Sequence, residues 1–165
     1  METMGSFSFA VVLALLFSTL PIGPETAPFD WMIGEWKGAR KTDKDDGFPM
    51  HVVVAQSMGG PAVTEDLTVK LPNKDYRSLS VIAFDSEDKL WRLNYINGVK
   101  GRMAPLDGSR VGDAWEWRSA KPDGTVYVLR FERHGPDRWI RAQRISHDGG
   151  KTWSEMFTDR LERVR

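Results

Sequence analysis

The sequence has no cysteine among its 165 residues. Disulfide bonds, thiolate metal sites, a cysteine nucleophile and a lipid anchor on cysteine are therefore excluded, and the core alone must hold the fold together. The chain also has no excess of charge of either sign, because Lys plus Arg and Asp plus Glu each number 23. Proteins that bind nucleic acid through its phosphates normally carry a basic excess, so the sequence predicts no nucleic-acid partner.

Histidine is scarce as well, since His51, His134 and His147 are far apart and fall on separate predicted strands or turns. A protein metal site needs two or three converging ligands, commonly at short spacing, so the sequence predicts no metal site. His134 and His147 lie at strand ends, where exposure to solvent is expected. His51 begins a predicted strand, and the sequence leaves open whether its side chain faces the lumen.

No hydrophobic run reaches the length of about 20 residues that a membrane span requires. The run at 7–20, FSFAVVLALLFSTL, is instead typical of the apolar part of a signal peptide, although no Lys or Arg precedes it and Glu2 is acidic. We therefore predict an export signal over 1–23, a periplasmic or secreted protein without a stable membrane span, and one domain over 24–165. An uncleaved anchor and a helix belonging to the fold are the alternatives.

Long helical periodicity is also missing, and short β-rich runs recur instead between Gly, Asp, Asn and Pro. Asp30–Gly34 predicts one helical turn, and pairs such as Asn97-Gly98, Asp107-Gly108 and Asp123-Gly124 indicate tight hairpins. Strands are predicted at 35–41, 50–57, 62–71, 78–85, 89–97, 99–105, 112–119, 125–134, 138–146 and 152–163. About ten sequential strands favour an all-β, antiparallel up-and-down barrel with a short N-terminal helical turn, because closure removes the sheet edges.

Aromatic residues are plentiful, with seven tryptophans in the chain. Strand alternation groups them on single faces: Trp91 with Leu93 and Tyr95, Trp115 with Trp117, Tyr127 with Leu129 and Phe131, and Trp153 with Phe157 and Leu161. We expect the aromatic faces to point into the barrel, which either fills its interior or holds one small ligand. The residues predicted to bind a ligand are Trp36, Trp91, Tyr95, Trp115, Trp117 and Trp139.

The arginines that lie within predicted strands include Arg92, Arg130, Arg141 and Arg144. Most of them are expected on the outer face of the barrel. Any arginine that enters the lumen would select an anionic head group through bidentate hydrogen bonds.

Three segments carry a resemblance to a known family. Gly34–Gly38 (GEWKG) resembles the G-x-W signature that opens the first strand of lipocalins, and Ala83–Asp85 with Leu90–Asn97 resembles a hairpin of bacterial lipocalin-like domains of unknown function. Ser146–Trp153 (SHDGGKTW) resembles the hairpin that precedes their last strand. The resemblance implies a barrel of the calycin superfamily and does not imply an activity, since fold does not fix function.

The resemblance also carries expectations for single residues. In lipocalins the signature Trp packs near the closed end against a basic residue, which gives Trp36 a structural role with Arg160 or Arg163 as a cation–π partner. The chain is distantly similar to nitrobindin-type barrels, which hold haem through a histidine near the chain's end. The last predicted strand, 152–163, has no histidine, so we predict no haem and no other cofactor.

Ser146–Trp153 also matches the Asp-box pattern of sialidases, S-x-D-x-G-x-T-W. In that pattern the Asp accepts N–H bonds from the turn, and the Gly residues permit left-handed backbone. We interpret the motif as a structural hairpin and infer no glycosidase activity from it.

These observations lead to one main hypothesis and two alternatives. The main hypothesis is an exported barrel that binds a small apolar or amphipathic molecule in an aromatic-lined lumen. The first alternative is an enzyme of isomerase or cyclase type, which would show a buried acid or base in the lumen with a shifted pKa. The second is a filled barrel that acts as an interaction domain, which would show an exposed apolar patch. A homodimer is left open.

Overall fold

A computed structural model describes residues 27–45, 47–59, 62–99 and 101–165, so the predicted export segment 1–23 lies outside the described residues. A 3-10 helix, Ala27–Met32, is followed by ten strands. The strands are β1 Gly34–Lys41, β2 Phe48–Ser57, β3 Ala62–Lys70, β4 Asp75–Asp85, β5 Leu90–Asn97, β6 Arg102–Val111, β7 Ala114–Ala120, β8 Val126–Arg133, β9 Arg138–Ser146 and β10 Ser154–Arg163. Nine of these ten strands lie close to the predicted limits.

The strands form a closed barrel in which each strand pairs antiparallel with its neighbours in sequence. The barrel is closed by β1 and β10, where Trp36 lies opposite Arg163 and Lys41 lies opposite Thr158. Closure leaves none of the ten described strands with an unpaired edge that could template aggregation. The predicted all-β, antiparallel up-and-down barrel is confirmed.

The prediction for β6 is wrong at its C-terminal end. The strand continues through Asp107-Gly108, which was predicted as a turn, and ends at Val111 before a turn with Gly112 at φ 61°. Gly108 is required by packing, because a Cβ at this position would lie 2.4 Å from Cζ3 of Trp117 on the neighbouring strand. The glycine therefore marks a close approach of a ring to the backbone, which a sequence pattern does not distinguish from a turn.

The predicted face of Trp153 is also wrong. A register shift between Glu155 and Phe157 inserts an extra residue into β10, which reverses the alternation of the residues that precede it. Phe157 and Leu161 point inward as predicted, opposite Gln143 and Trp139. Trp153 instead lies on the outer surface, where the guanidinium carbon of Arg144 is 4.5 Å from its ring centroid.

The 3-10 helix closes one end of the barrel. It spans Ala27–Met32 rather than the predicted 30–34, and it ends before Gly34, whose φ of +135° is unsuited to a helix. Phe29 is fully buried, and its ring centroid lies 5.0 Å from that of Trp91. Among the residues that the structure describes, no helix has the length and apolar character that a membrane crossing requires.

Arg163 holds the 3-10 helix and the residue after it against this end of the barrel. Its guanidinium carbon lies 4.1 Å from the ring centroid of Trp36, and its Nη1 and Nη2 donate to the carbonyls of Ile33 and Trp31, both at 2.8 Å. Of the two predicted partners of Trp36, Arg163 is thus the one observed. A Cβ on Gly34 would lie 2.5 Å from Arg163 Nη1, which explains the first glycine of the signature.

The Asp-box segment forms the turn between β9 and β10, as predicted. Asp148 accepts hydrogen bonds from the Thr152 hydroxyl at 2.6 Å and from the backbone N–H groups of Lys151 and Thr152, both at 2.9 Å. Gly149 and Gly150 have φ of 75° and 97°. The motif is a structural turn, and its Gly149 N–H also donates to the carbonyl of Gly124 in the turn between β7 and β8 at 3.1 Å.

Asp148→Asn is expected to lower the free energy of unfolding at neutral pH and to have a smaller effect in acid. The Thr152 hydroxyl, the Thr152 N–H and the Ser146 hydroxyl lower the pKa of Asp148 in the folded state below its ordinary value of 3.8. A carboxyl group with a lowered pKa stabilises the fold above pH 3.8, and this contribution is lost as the pH falls below that value. Urea unfolding of both proteins should therefore give a difference in unfolding free energy that is present at neutral pH and shrinks in acid. Asp113→Asn, at a fully exposed position, is the control, and a difference that does not change with pH would refute the assignment.

Candidate functional site

The half of the interior next to the 3-10 helix is filled with aromatic rings. Trp36, Trp117 and Trp139 are fully buried there. Phe131 connects two of them, with ring centroids 5.8 Å from Trp117 and 5.3 Å from Trp139 in edge-to-face geometry. Such rings form a rigid, closely packed floor.

The interior beyond this floor is polar and charged. Four ionisable side chains point inward and are nearly inaccessible to water, with exposed fractions of 9% for Arg40, 0% for Glu65, 4% for Arg141 and 0% for Asp159. They form two pairs of opposite charge. Charged groups are almost never buried in this way unless they are paired, so the pairs are the central electrostatic feature of the lumen.

The pair of Arg40 and Asp159 is geometrically complete. Arg40 donates from Nε to Oδ1 at 2.7 Å and from Nη2 to Oδ2 at 2.8 Å, which is the strong bidentate arrangement. The Phe157 ring lies 3.9 Å from the guanidinium carbon of Arg40. This pair has both carboxylate oxygens engaged and serves the structure of the barrel.

The pair of Arg141 and Glu65 is incomplete. Arg141 Nη1 lies 3.1 Å from Glu65 Oε1 without the alignment of a hydrogen bond, and Oε1 accepts a bond from the Ser80 hydroxyl at 3.3 Å. Glu65 Oε2, Arg141 Nε and Arg141 Nη1 are buried without hydrogen-bond partners, as is the hydroxyl of Ser78. Buried polar atoms are normally satisfied because each unmade bond is costly, so these atoms are the groups of the charged lumen that a further hydrogen-bond partner would satisfy.

A cluster of polar groups lies nearer to the end of the barrel opposite the 3-10 helix. Asn97 Nδ2 donates to the hydroxyls of Tyr95 at 3.1 Å and Tyr76 at 3.4 Å, and the two hydroxyls are 3.5 Å apart. Burial and the hydrogen bond to Tyr95 raise the pKa of Tyr76 to about 12, against the opposing effect of Arg141 and Arg40. Tyr76 is therefore a neutral phenol close to both buried arginines.

The structure brings five of the six predicted ligand-binding residues together, in the aromatic floor: Trp36, Trp91, Trp115, Trp117 and Trp139. All of them point inward, as expected. Tyr95 is the exception, because it belongs to the polar cluster at the end opposite the 3-10 helix.

The charged residues of the lumen were largely missed by the sequence interpretation. Arg141 is the one arginine of the four considered that enters the interior, whereas Arg92, Arg130 and Arg144 lie on the outer face. The sequence does contain a signal for the burial of Glu65. This acid lies on a face of β3 that is otherwise apolar, with Val63, Leu67 and Val69. Arg40 and Asp159 likewise share strand faces with buried residues.

The histidines are on the surface. His134 and His147 are exposed, as expected from their positions at strand ends, whereas His51 does not face the lumen. Nε2 of His51 lies 2.9 Å from Glu35 Oε1 on the outer face. Within the described part of the chain, no group of three or more His, Cys, Asp or Glu side chains is placed to hold a metal ion.

Comparisons with known proteins support the fold and no closer relationship. No protein-family model and no curated protein sequence matches the chain. Among solved structures, the chain is similar to an S-type phycobiliprotein lyase from Guillardia theta, with a TM-score of 0.58 and 11% sequence identity. The match covers 83% of this chain and 90% of that chain, so nearly the whole barrel is shared.

Proposed function

We propose that this protein binds a small, largely apolar molecule inside the barrel and contacts a polar group of that molecule with Arg141 and Glu65. The observation that supports this proposal is the set of buried polar atoms on these two side chains that have no hydrogen-bond partner. In a barrel that served only as a packed scaffold, apolar residues at these positions would be as stable or more stable. A ligand that enters the lumen gives the unpaired atoms a function.

The dimensions of the barrel are compatible with a ligand. Eight strands already enclose an interior that side chains can just fill, and this barrel has ten. The inward side chains beside Glu65 are small, since β4 contributes Ser78 and Ser80. Tyr76, Tyr95 and Asn97 are only half-buried although they point inward, so these side chains are partly accessible to solvent among the described residues.

The ligand's apolar part has a matching surface in the same region. Partly buried apolar side chains lie at the same end of the barrel as the polar cluster: Phe48, Leu71 and Phe157. We therefore propose that Tyr95 contacts the ligand directly and that the five predicted tryptophans support it as a rigid floor. The phycobiliprotein lyase shares the fold alone, so this proposal rests on the side chains of this chain.

The test is to identify what the purified protein carries. The full chain is purified, scanned for absorption, extracted with organic solvent and analysed by mass spectrometry. We expect a stoichiometric small apolar or amphipathic compound from the wild-type protein. The intact mass of the same sample tests the separate proposal that residues 1–23 direct export to the periplasm or outside the cell.

Two variants on β4 make the result specific for the lumen. Ser78→Phe places a bulky ring on the inward face of β4 near Glu65, whereas Arg77→Phe adds the same ring on the outer face next to it. We expect the compound to be lost from Ser78→Phe and kept by Arg77→Phe, with both variants folded by circular dichroism. Equal loading of the two variants would place the compound outside the barrel and refute the proposal.

An enzyme is the second candidate, and Tyr76 is the observation that favours it. A phenol with a pKa of about 12 stays protonated at neutral pH and is available to donate a hydrogen bond to an oxygen that gains charge. Glu65, buried without a partner on Oε2, is the corresponding candidate base. A wild-type protein that is purified empty would favour this function over a binding module.

A further inference from the structure

The unpaired atoms in the lumen define the chemistry of the group that they would contact. Arg141 offers N–H donors at Nε and Nη1, and Glu65 offers an acceptor at Oε2. The two side chains are neighbours, since Nη1 of Arg141 and Oε1 of Glu65 are 3.1 Å apart. A small group that lies against both must accept a hydrogen bond on one side and donate one on the other.

The charges of the lumen restrict this group further. Arg40 is matched by Asp159, and Arg141 is matched by Glu65, so the four buried groups sum to zero net charge. A ligand that brought another full charge would leave one charge uncompensated in a region with little access to water, which is costly. An uncharged group that is both donor and acceptor leaves the balance intact.

We infer that the ligand carries an uncharged head group with a hydrogen-bond acceptor and a donor side by side, as in a primary amide, a lactam or a protonated carboxylic acid. This inference rests on the proposed function. Arg141 donates to the carbonyl oxygen of the head group, and Glu65 accepts from its N–H or O–H. The Ser78 hydroxyl, also buried without a partner, is a further contact on the same side of the lumen.

A series of probes with one tail and three head groups tests the inference. The dansyl derivatives of aminoundecanoic acid are prepared as the primary amide, the methyl ester and the free carboxylate, and the dissociation constants are measured by energy transfer from tryptophan at about pH 8. We expect the amide to bind about tenfold more tightly than the ester, which cannot donate to Glu65, and also more tightly than the carboxylate.

Each other outcome has a distinct meaning. Tight and equal binding of amide and ester would overturn the head-group inference and leave the proposed function standing. Tightest binding of the carboxylate would overturn it as well, because Arg141 would then act as a site for an anion. Failure of all three probes to bind in the lumen would count against the proposed function itself.

Substitutions at Glu65 separate recognition from a structural role. Glu65→Gln can donate to an ester, so we expect the ratio of the amide and ester affinities to fall to about 1, whereas general damage would weaken both probes equally. If this variant does not fold, Glu65→Leu combined with Arg141→Met removes both charges together and should also abolish the preference. Glu116→Gln, on the outer face of β7, is the control that keeps it. An unchanged preference in the lumen variants overturns the inference.

Discussion

Replacing Asp159 with alanine is expected to lower the unfolding free energy by about 3–5 kcal/mol, because it leaves the buried charge of Arg40 without a partner. Asp159 is fully buried and accepts both hydrogen bonds of the Arg40 side chain. Domains of this size have a total stability of about 5–15 kcal/mol, so the loss is a large share of what holds the barrel together. Urea unfolding followed by tryptophan fluorescence measures it.

A double variant separates the effect of the charge from that of the side-chain volume, and a variant of an exposed ion pair is the control. Arg40→Met combined with Asp159→Leu removes both charges and should recover most of the stability. Asp66→Ala breaks an exposed ion pair with Arg77 and is expected to cost no more than about 1 kcal/mol. A double variant that is as unstable as Asp159→Ala would show that packing, and not charge, is the source of the effect.

Replacing Gly38 with alanine is expected to destabilise the barrel by about 3 kcal/mol or more. A Cβ at this position would lie 1.8 Å from the carbonyl oxygen of Arg160, which belongs to the backbone of β10 and cannot rotate away. The contact lies where β1 and β10 close the barrel, so the strands must separate to accommodate the methyl group. We expect the unfolding midpoint of Gly38→Ala to fall sharply in thermal melts.

Gly47→Ala is the matched control, because a Cβ on Gly47 meets no atom within 4 Å. This variant should have a stability within about 0.5 kcal/mol of the wild-type protein. If Gly38→Ala melted together with Gly47→Ala, the close approach of β1 and β10 would be contradicted.

The fold was predictable because its signals are local. Hairpin pairs such as Asp123-Gly124 set the ends of strands, and alternation in runs such as Trp91–Tyr95 assigned inward faces that the structure confirms. The errors have equally local causes that a pattern does not reveal. Gly108 is a glycine because a ring of Trp117 lies over it, and an inserted residue in β10 reversed the face of Trp153.

The candidate site was harder to predict, because it depends on pairs that only closure brings together. Arg40 and Asp159 are 119 positions apart in sequence, and the residues around each of them give no indication that the two side chains pair. The residues predicted to bind a ligand were all aromatic, yet most of them fill the floor of the barrel. An acid on an otherwise apolar strand face, as at Glu65, was the most informative signal for the lumen.

The pairing of β1 with β10 also has a consequence for synthesis on the ribosome. The first strand has its final neighbour only after the last strand has emerged, because Trp36 lies opposite Arg163. A nascent chain that ends before β10 presents β1 and β9 as open edges, each able to pair with another chain. Ribosome stalling or premature termination within the last hairpin would thus turn a barrel without edges into a chain prone to aggregation.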